Sequence, residues 1–210
     1  MGRTVDVFLK LLPAIEEVAD VVFVRLPAHG TSPFAPTPSL EVLAARSREA
    51  LETLLPARTT VLAGESLGGL IALAASPVAQ RVVAIDPFLT TAKLWPVQRW
   101  RKDDERYAPF YRNIFGLTEA EVIDFDYRRL ITDLACPAEV LAGSEPLLPP
   151  RATQRMPSLL DESDRALIRA SRLATLTVVE GGHALLDTSP AECLAAIRRA
   201  LQACSAALHR

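Results

Sequence analysis

The sequence predicts an α/β fold, a mostly parallel sheet flanked by helices, and three observations carry that expectation. Near-continuous apolar, β-branched runs recur at "VVFVRL" (21–26), "TTVLAG" (59–64), "RVVAID" (81–86), "AEVLAG" (138–143) and "LTVVEG" (176–181). Runs without strict alternation suit strands covered on both faces. Between them apolar residues return at the three- and four-residue spacing of a helix face. Strand alternating with helix is the pattern of parallel pairing through crossovers.

Taken in order, Phe8, Leu12, Ile15 and Ala19 predict a first helix, and the 21–26 run a strand after it. The Pro-rich "LPAHGTSPFAPTPSL" reads as a loop that enters a helix at Ser39, an N-cap residue type. Leu40, Leu43, Ala44, Ser47, Leu51 and Leu54 supply the face of that helix. The 59–64 and 81–86 strands enclose a helix rich in small residues. From Pro87 to Leu134 the rhythm lapses: this stretch holds both tryptophans and all three tyrosines, with no strand-like run. It far exceeds the dozen or so residues that a crossover needs, so a helical cap insertion at 87–134 is expected. Cys193, Ala196, Ile197 and Leu201 predict the last helix.

A chain of 210 residues supports one well-buried domain over 1–210. Lys plus Arg total 23 against Asp plus Glu 25, a net charge of −2, and no basic block suggests nucleic acid. No uncharged apolar run has the length to cross a bilayer, and no signal-peptide pattern opens the chain. A cytoplasmic protein with neither nucleic-acid nor membrane partner is the expectation. Cys193 and Cys204 lie about 16 Å apart along one helix at 1.5 Å per residue and cannot pair; with Cys136 they read as buried thiols. The histidines are His29, His183 and His209, and no cluster has zinc spacing, so neither metal nor organic cofactor is expected.

The chemistry concentrates in "TTVLAGESLGGLIALAAS". A strand, a G-x-S-x-G core (Gly64, Glu65, Ser66, Leu67, Gly68) and a small-residue helix are the parts of a nucleophile elbow. Residues two before and two after the serine are expected to be small so that strand and helix can approach. The corner lifts Ser66 Oγ clear of the sheet, and the Leu67 N–H at the helix N-terminus can donate to a developing oxyanion. A structural glycine turn is the bland alternative. His183 in "LTVVEGGHALLDTSPAECLAAI" follows the last strand at its carboxyl end, the same sheet edge as the elbow.

With "VVFVRLPAHGTSP", "GESLGG", "CPAEVLAGSEPLLP" and "VVEGGHALL" in that order, the chain resembles the α/β-hydrolase family over nearly all its length. The resemblance implies Ser66 as nucleophile, His183 as general base and 87–134 as a cap. Members commonly carry an aspartate after the strand that "AEVLAG" resembles; here the segment is one residue shorter, and its acid is Glu145, the first choice. Asp86, one strand earlier, is the second. Asp161 and Asp164 read as solvated. Family members ordinarily begin with strands ahead of the first helix, one of which ends in a His-Gly loop that supplies a second oxyanion N–H. Either the start shown omits a segment, or the 21–26 strand pairs directly with 59–64 and the "PAHGTS" loop around His29 and Gly30 takes that place. His29 itself reads as part of a turn.

These readings imply a serine hydrolase acting on a small-molecule ester or thioester. A non-catalytic ligand- or partner-binding protein, or an acyltransferase or cyclase on the same fold, are the rivals. An exposed sheet edge leaves room for a homo-oligomer.

Overall fold

The computed structural model describes residues 6–26, 39–99 and 107–208. Four parallel strands, β1 (Val61–Glu65), β2 (Arg81–Ile85), β3 (Ala138–Gly143) and β4 (Ala174–Val179), lie in the order β1-β2-β3-β4. Pairing runs Val61 to Arg81, Val82 to Ala138 and Ala138 to Ala174, so all four carboxyl ends reach one edge.

Apolar residues at consecutive positions bury both faces of the sheet. Along β2, Val82 and Ala84 face one apolar cluster while Val83 and Ile85 face another, and none of the four is more than 1% exposed. The first cluster is closed by α3 (Leu40–Leu54), α4 (Leu67–Ala74) and the residues that follow β2; the second by α10 (Pro190–Leu208) and the N-terminal helices. Ser39 caps α3, its Oγ accepting from Val42 N at 3.3 Å as the sequence suggests. Cys136, Cys193 and Cys204 are buried free thiols, and burial pushes all three upward in pKa, Cys193 to about 12. No described helix is long and apolar enough to cross a membrane.

Two N-terminal expectations are corrected. The helix expected through Phe8 to Ala19 is two short ones, α1 (Asp6–Leu9) and α2 (Leu12–Glu16), because Pro13 falls within it and can only open a new turn. Residues 21–26 form no strand. They join no ladder with β1, and Val22, Phe23 and Val24 are exposed at 44%, 38% and 44%. The expected ladder between 21–26 and 59–64 is therefore absent, and β1 is an edge strand among the described residues. The apolar run meets the side-chain requirement of a strand, but it joins no sheet among the described residues. His29 and Gly30 lie outside the described residues.

The chain from Pro87 to Leu134 forms α5 (Trp95–Arg99), α6 (Ala108–Phe115) and α7 (Arg129–Thr132) with two isolated antiparallel bridges, Thr90 to Asp126 and Leu117 to Val122. Its aromatics pack on one another: Phe88 stacks on Phe115 at 4.9 Å, and buried Tyr127 donates its hydroxyl to Ile114 O at 3.0 Å. Between β3 and β4 lies α8 (Glu162–Ala170), and α9 (Leu185–Thr188) precedes α10.

Candidate active site

Ser66 stands at the corner between β1 and α4 with φ 58° and ψ −119°, a conformation that L-residues rarely adopt. Two hydrogen bonds lock the corner: Ser66 N–H donates to Ile85 O at 2.8 Å, and Leu70 N–H donates to Ser66 O at 3.0 Å. The first thus anchors Ser66 to the last residue of β2. The close approach is steep. A Cβ on Gly64 would lie 2.3 Å from the Gly68 carbonyl group, whereas one on Gly68 would meet nothing within 4 Å. The expectation that both glycines are sterically required is corrected to one: only Gly64 has no room. Leu67 opens α4, so its N–H has no acceptor one turn back and points out of the helix start beside Ser66.

His183 enters at the same edge, after β4. Its imidazole is 15% exposed, and Nδ1 lies 2.7 Å from Asp86 Oδ2. A proton on Nδ1 donated to that carboxylate leaves Nε2 with a lone pair. Backbone contacts fix the ring's base: His183 N–H donates to Met156 O at 2.8 Å, and a Cβ on Gly182 would lie 2.2 Å from that oxygen.

The carboxylate that His183 meets is Asp86, not Glu145, which corrects the first expectation for the acid. Asp86 follows β2 directly, is fully buried and adopts φ 42°. Its Oδ1 accepts from Ser158 Oγ at 2.5 Å and Gly143 N at 3.2 Å; Oδ2 accepts from Leu159 N at 2.9 Å as well as from His183. Four donors around one buried carboxylate satisfy its oxygens and fix its rotamer. Glu145 serves through its main chain, its N–H donating to Gly181 O at 2.9 Å and its carbonyl accepting from Ser158 N at 3.0 Å. Its side chain makes no hydrogen bond among the described residues.

Ser158, Leu159 and Gly143 were not singled out from the sequence. Ser158 lies 72 positions from Asp86 in a stretch with no motif, and only the fold joins them. Asp161 and Asp164 are also corrected, from solvated to buried at 7% and 1% exposure. They form a capping box at the start of α8, and Lys93 pairs with Asp161. Burial pushes Asp161 up, but the Lys93 ammonium and the Ser163 hydroxyl outweigh it and bring the carboxyl down to about 2. Burial, followed by the Asp161 charge, raises Asp164 to about 6, and its Oδ1 has no hydrogen-bond partner.

Ser66, Leu67 and His183 line one cavity of about 1010 Å³, together with Val97, Phe110, Tyr111 and Phe115 from the segment after β2. Trp95 instead donates its indole N–H to Leu147 O at 3.0 Å, and Trp100 lies outside the described residues. No hydrogen bond to the Ser66 hydroxyl is present among the described residues. No group of histidine, cysteine and carboxylate side chains suited to a metal ion occurs among them either.

A parallel sheet with a strained serine at a strand-to-helix corner, and a carboxylate-bound histidine at the same edge, defines a protein of the hydrolase class of α/β folds. Residues 4–196 match the Alpha/beta hydrolase family, and the chain belongs to that family. Among solved structures it is similar to the enol-lactonase from Burkholderia xenovorans LB400, with a TM-score of 0.70 and 16% identity over 94% of this chain and 86% of that one. A hydrolase from Pseudomonas aeruginosa PA01 gives a TM-score of 0.68 and 22% identity over 94% and 85%. A thermophilic esterase from Thermogutta terrifontis gives 0.56 and 19% over 85% and 78%. No curated protein sequence matches the chain.

Proposed function

We propose that the protein is a serine hydrolase that cleaves a carboxylic ester or thioester through Ser66, His183 and Asp86. The observation that carries this reading is the 2.7 Å contact between His183 Nδ1 and a fully buried Asp86, on the cavity that holds Ser66. His183 Nε2 takes the Ser66 proton as Oγ attacks the carbonyl carbon. The Leu67 N–H donates to the oxyanion, and the protonated imidazole, stabilised by Asp86, returns its proton to the departing alkoxide or thiolate. A water deprotonated by the same histidine then releases the acyl group. The apolar side chains of α6 offer a wall for the acyl or alcohol part, which gives the 87–134 segment the role of a cap.

One observation favours a second reading, a ligand-binding protein with an incomplete site. Leu67 is the one oxyanion donor that can be assigned among the described residues, and loss of one donor typically costs about 10² to 10³ in turnover. A fluorophosphonate probe with a p-nitrophenyl ester series distinguishes the two. Labelling and ester turnover by wild type, both lost in Ser66→Ala, support the hydrolase. Folded wild type that neither labels nor exceeds buffer hydrolysis supports the binding protein.

A further inference from the structure

Arg165 turns inward from α8 and is 8% exposed, whereas Arg169 on the same helix stays at the surface with Glu162. A guanidinium taken out of water is costly unless its N–H groups are bonded. Among the described residues Arg165 forms no ion pair. Its bonds go to two main-chain oxygens instead: Nη2 donates to Gly143 O at 2.7 Å, and Nε donates to Leu160 O at 3.2 Å.

Those two oxygens belong to the segments that hold Asp86. Gly143, the last residue of β3, donates its N–H to Asp86 Oδ1 at 3.2 Å. Ser158 and Leu159, just ahead of Leu160, donate to Oδ1 at 2.5 Å and to Oδ2 at 2.9 Å. The guanidinium therefore ties together the backbone that carries every donor to Asp86 except His183. Upstream the loop is already fixed, since Met156 O accepts from His183 N–H at 2.8 Å and Ser158 N–H donates to Glu145 O at 3.0 Å. Downstream, where Asp161 opens α8, the inward tie is Arg165. A planar fork suits this task, because two N–H groups at a fixed angle reach carbonyls on separate segments, which the point charge of a lysine does not reproduce. Gly143 has no slack on its other side. A Cβ there would lie 2.2 Å from the carbonyl oxygen of Gly182, the residue before His183.

We propose that Arg165 is a positioning residue for the reaction, a clamp that joins the end of β3 to the 158–160 loop and so sets the place of Asp86 against His183 Nδ1. It touches neither the substrate nor the imidazole, and acts through Gly143, Ser158 and Leu159. The role rests on the reading of Ser66, His183 and Asp86 as the reacting groups, and extends it to a residue on α8 that no motif marks. A misplacement of about 1 Å can cost about 10²-fold in turnover. A loosened Asp86 therefore shows in kcat rather than in KM.

The test compares wild type, Arg165→Met and Arg165→Lys, each checked for native circular dichroism, in two measurements. The first needs no substrate. It is proton NMR of the His183 Nδ1 hydrogen shared with Asp86, a far-downfield signal assigned by its absence in His183→Ala. Arg165→Met is expected to move this signal upfield and to speed its exchange with water at least tenfold; Arg165→Lys, which keeps the charge without the fork, does the same to a smaller degree. The second is ester kinetics. Arg165→Met is expected to lower kcat at least tenfold with KM within twofold of wild type, but to cost less than twofold when added to Asp86→Asn, where the carboxylate it positions is already gone. A residue that served folding alone would lower the unfolding midpoint, leave the imidazole signal in place and cost the same kcat in both backgrounds. An unchanged signal in folded Arg165→Met, or equal losses with and without the Asp86 carboxylate, would overturn the proposal; if Arg165→Met does not fold, Arg165→Lys decides by the same two criteria. Wild type that shows the signal but hydrolyses no ester counts against the hydrolase reading alone, and the clamp is then judged by the NMR measurement.

Discussion

At the residue scale the weight of the site falls on Asp86. Glu145 stands where the family resemblance directs attention, but the chain after β3 is one residue short and turns so that Glu145 contributes its main chain to the histidine loop. Asp86→Asn is expected to lower kcat by about 10³ to 10⁴, because the amide no longer favours the Nδ1–H tautomer nor stabilises the imidazolium. Glu145→Gln is expected to change it less than about tenfold, and steady-state kinetics on a common ester measures both. Ser158→Ala leaves Asp86 with three of its four donors; the lost hydroxyl, short and charge-assisted, is expected to cost about 1.5–3 kcal/mol in unfolding free energy, read by urea titration. Ser66 and His183 were legible because each sits in a local pattern beside a strand end. The choice between two acids was not, since it turns on which strand end faces the imidazole.

Asp164 yields a pH prediction with the opposite sign to the usual carboxylate. Its native value of about 6 lies above the ordinary 3.8, so between those values the folded state holds a proton that the unfolded state has lost. Stability therefore falls as pH rises from about 4 to 6, by at most about 1.4 kcal/mol per unit. Asp161, held down at about 2, contributes stability that is present above about pH 4 and lost as pH falls toward 2, so it stays constant across this window and does not offset the change. Asp164→Asn mimics the protonated form, and its unfolding free energy is expected to stay flat across that window in urea titrations at successive pH values.

At the scale of elements, the corner between β1 and α4 shows what a glycine pattern specifies. Gly64 faces the Gly68 carbonyl group at a distance no side chain tolerates, so Gly64→Ala is expected to lose several kcal/mol or fail to fold. Gly68→Ala, open on that side and inside a helix, is expected to hold or gain up to about 1 kcal/mol, as thermal unfolding would show. The motif reads the same at both positions, and only the packing of helix on strand separates them. Strands β2 and β3 were legible nearly to the residue because both faces are buried and all their positions but Arg81 and Glu139 are apolar or glycine. The 21–26 run carried the same signal and formed no strand, because a strand needs a neighbour's backbone that side-chain pattern does not encode. The N-terminal spacing of Phe8, Leu12, Ile15 and Ala19 is helical throughout, yet Pro13 within it divides the helix in two, because its ring lacks the N–H that a continuous helix needs there.

At the scale of the whole molecule, four parallel strands bring Ser66, Asp86 and His183 to one sheet edge from three separate strand ends. The order of segments made this edge legible, since every strand-to-helix turn in a parallel sheet opens on the same side. The shared wall of Met156 to Leu159 that fixes Asp86 and His183 was not, for it comes from a loop with no periodicity. The central claim is that the Ser66 hydroxyl is activated by His183 through Asp86. The measurement that tests it most directly is the rate of fluorophosphonate labelling across wild type, Ser66→Ala, Asp86→Asn and Glu145→Gln at one pH. The account predicts no labelling of Ser66→Ala, labelling of Asp86→Asn slowed by at least a hundredfold, and Glu145→Gln close to wild type. Labelling that survives Asp86→Asn and collapses in Glu145→Gln would contradict it.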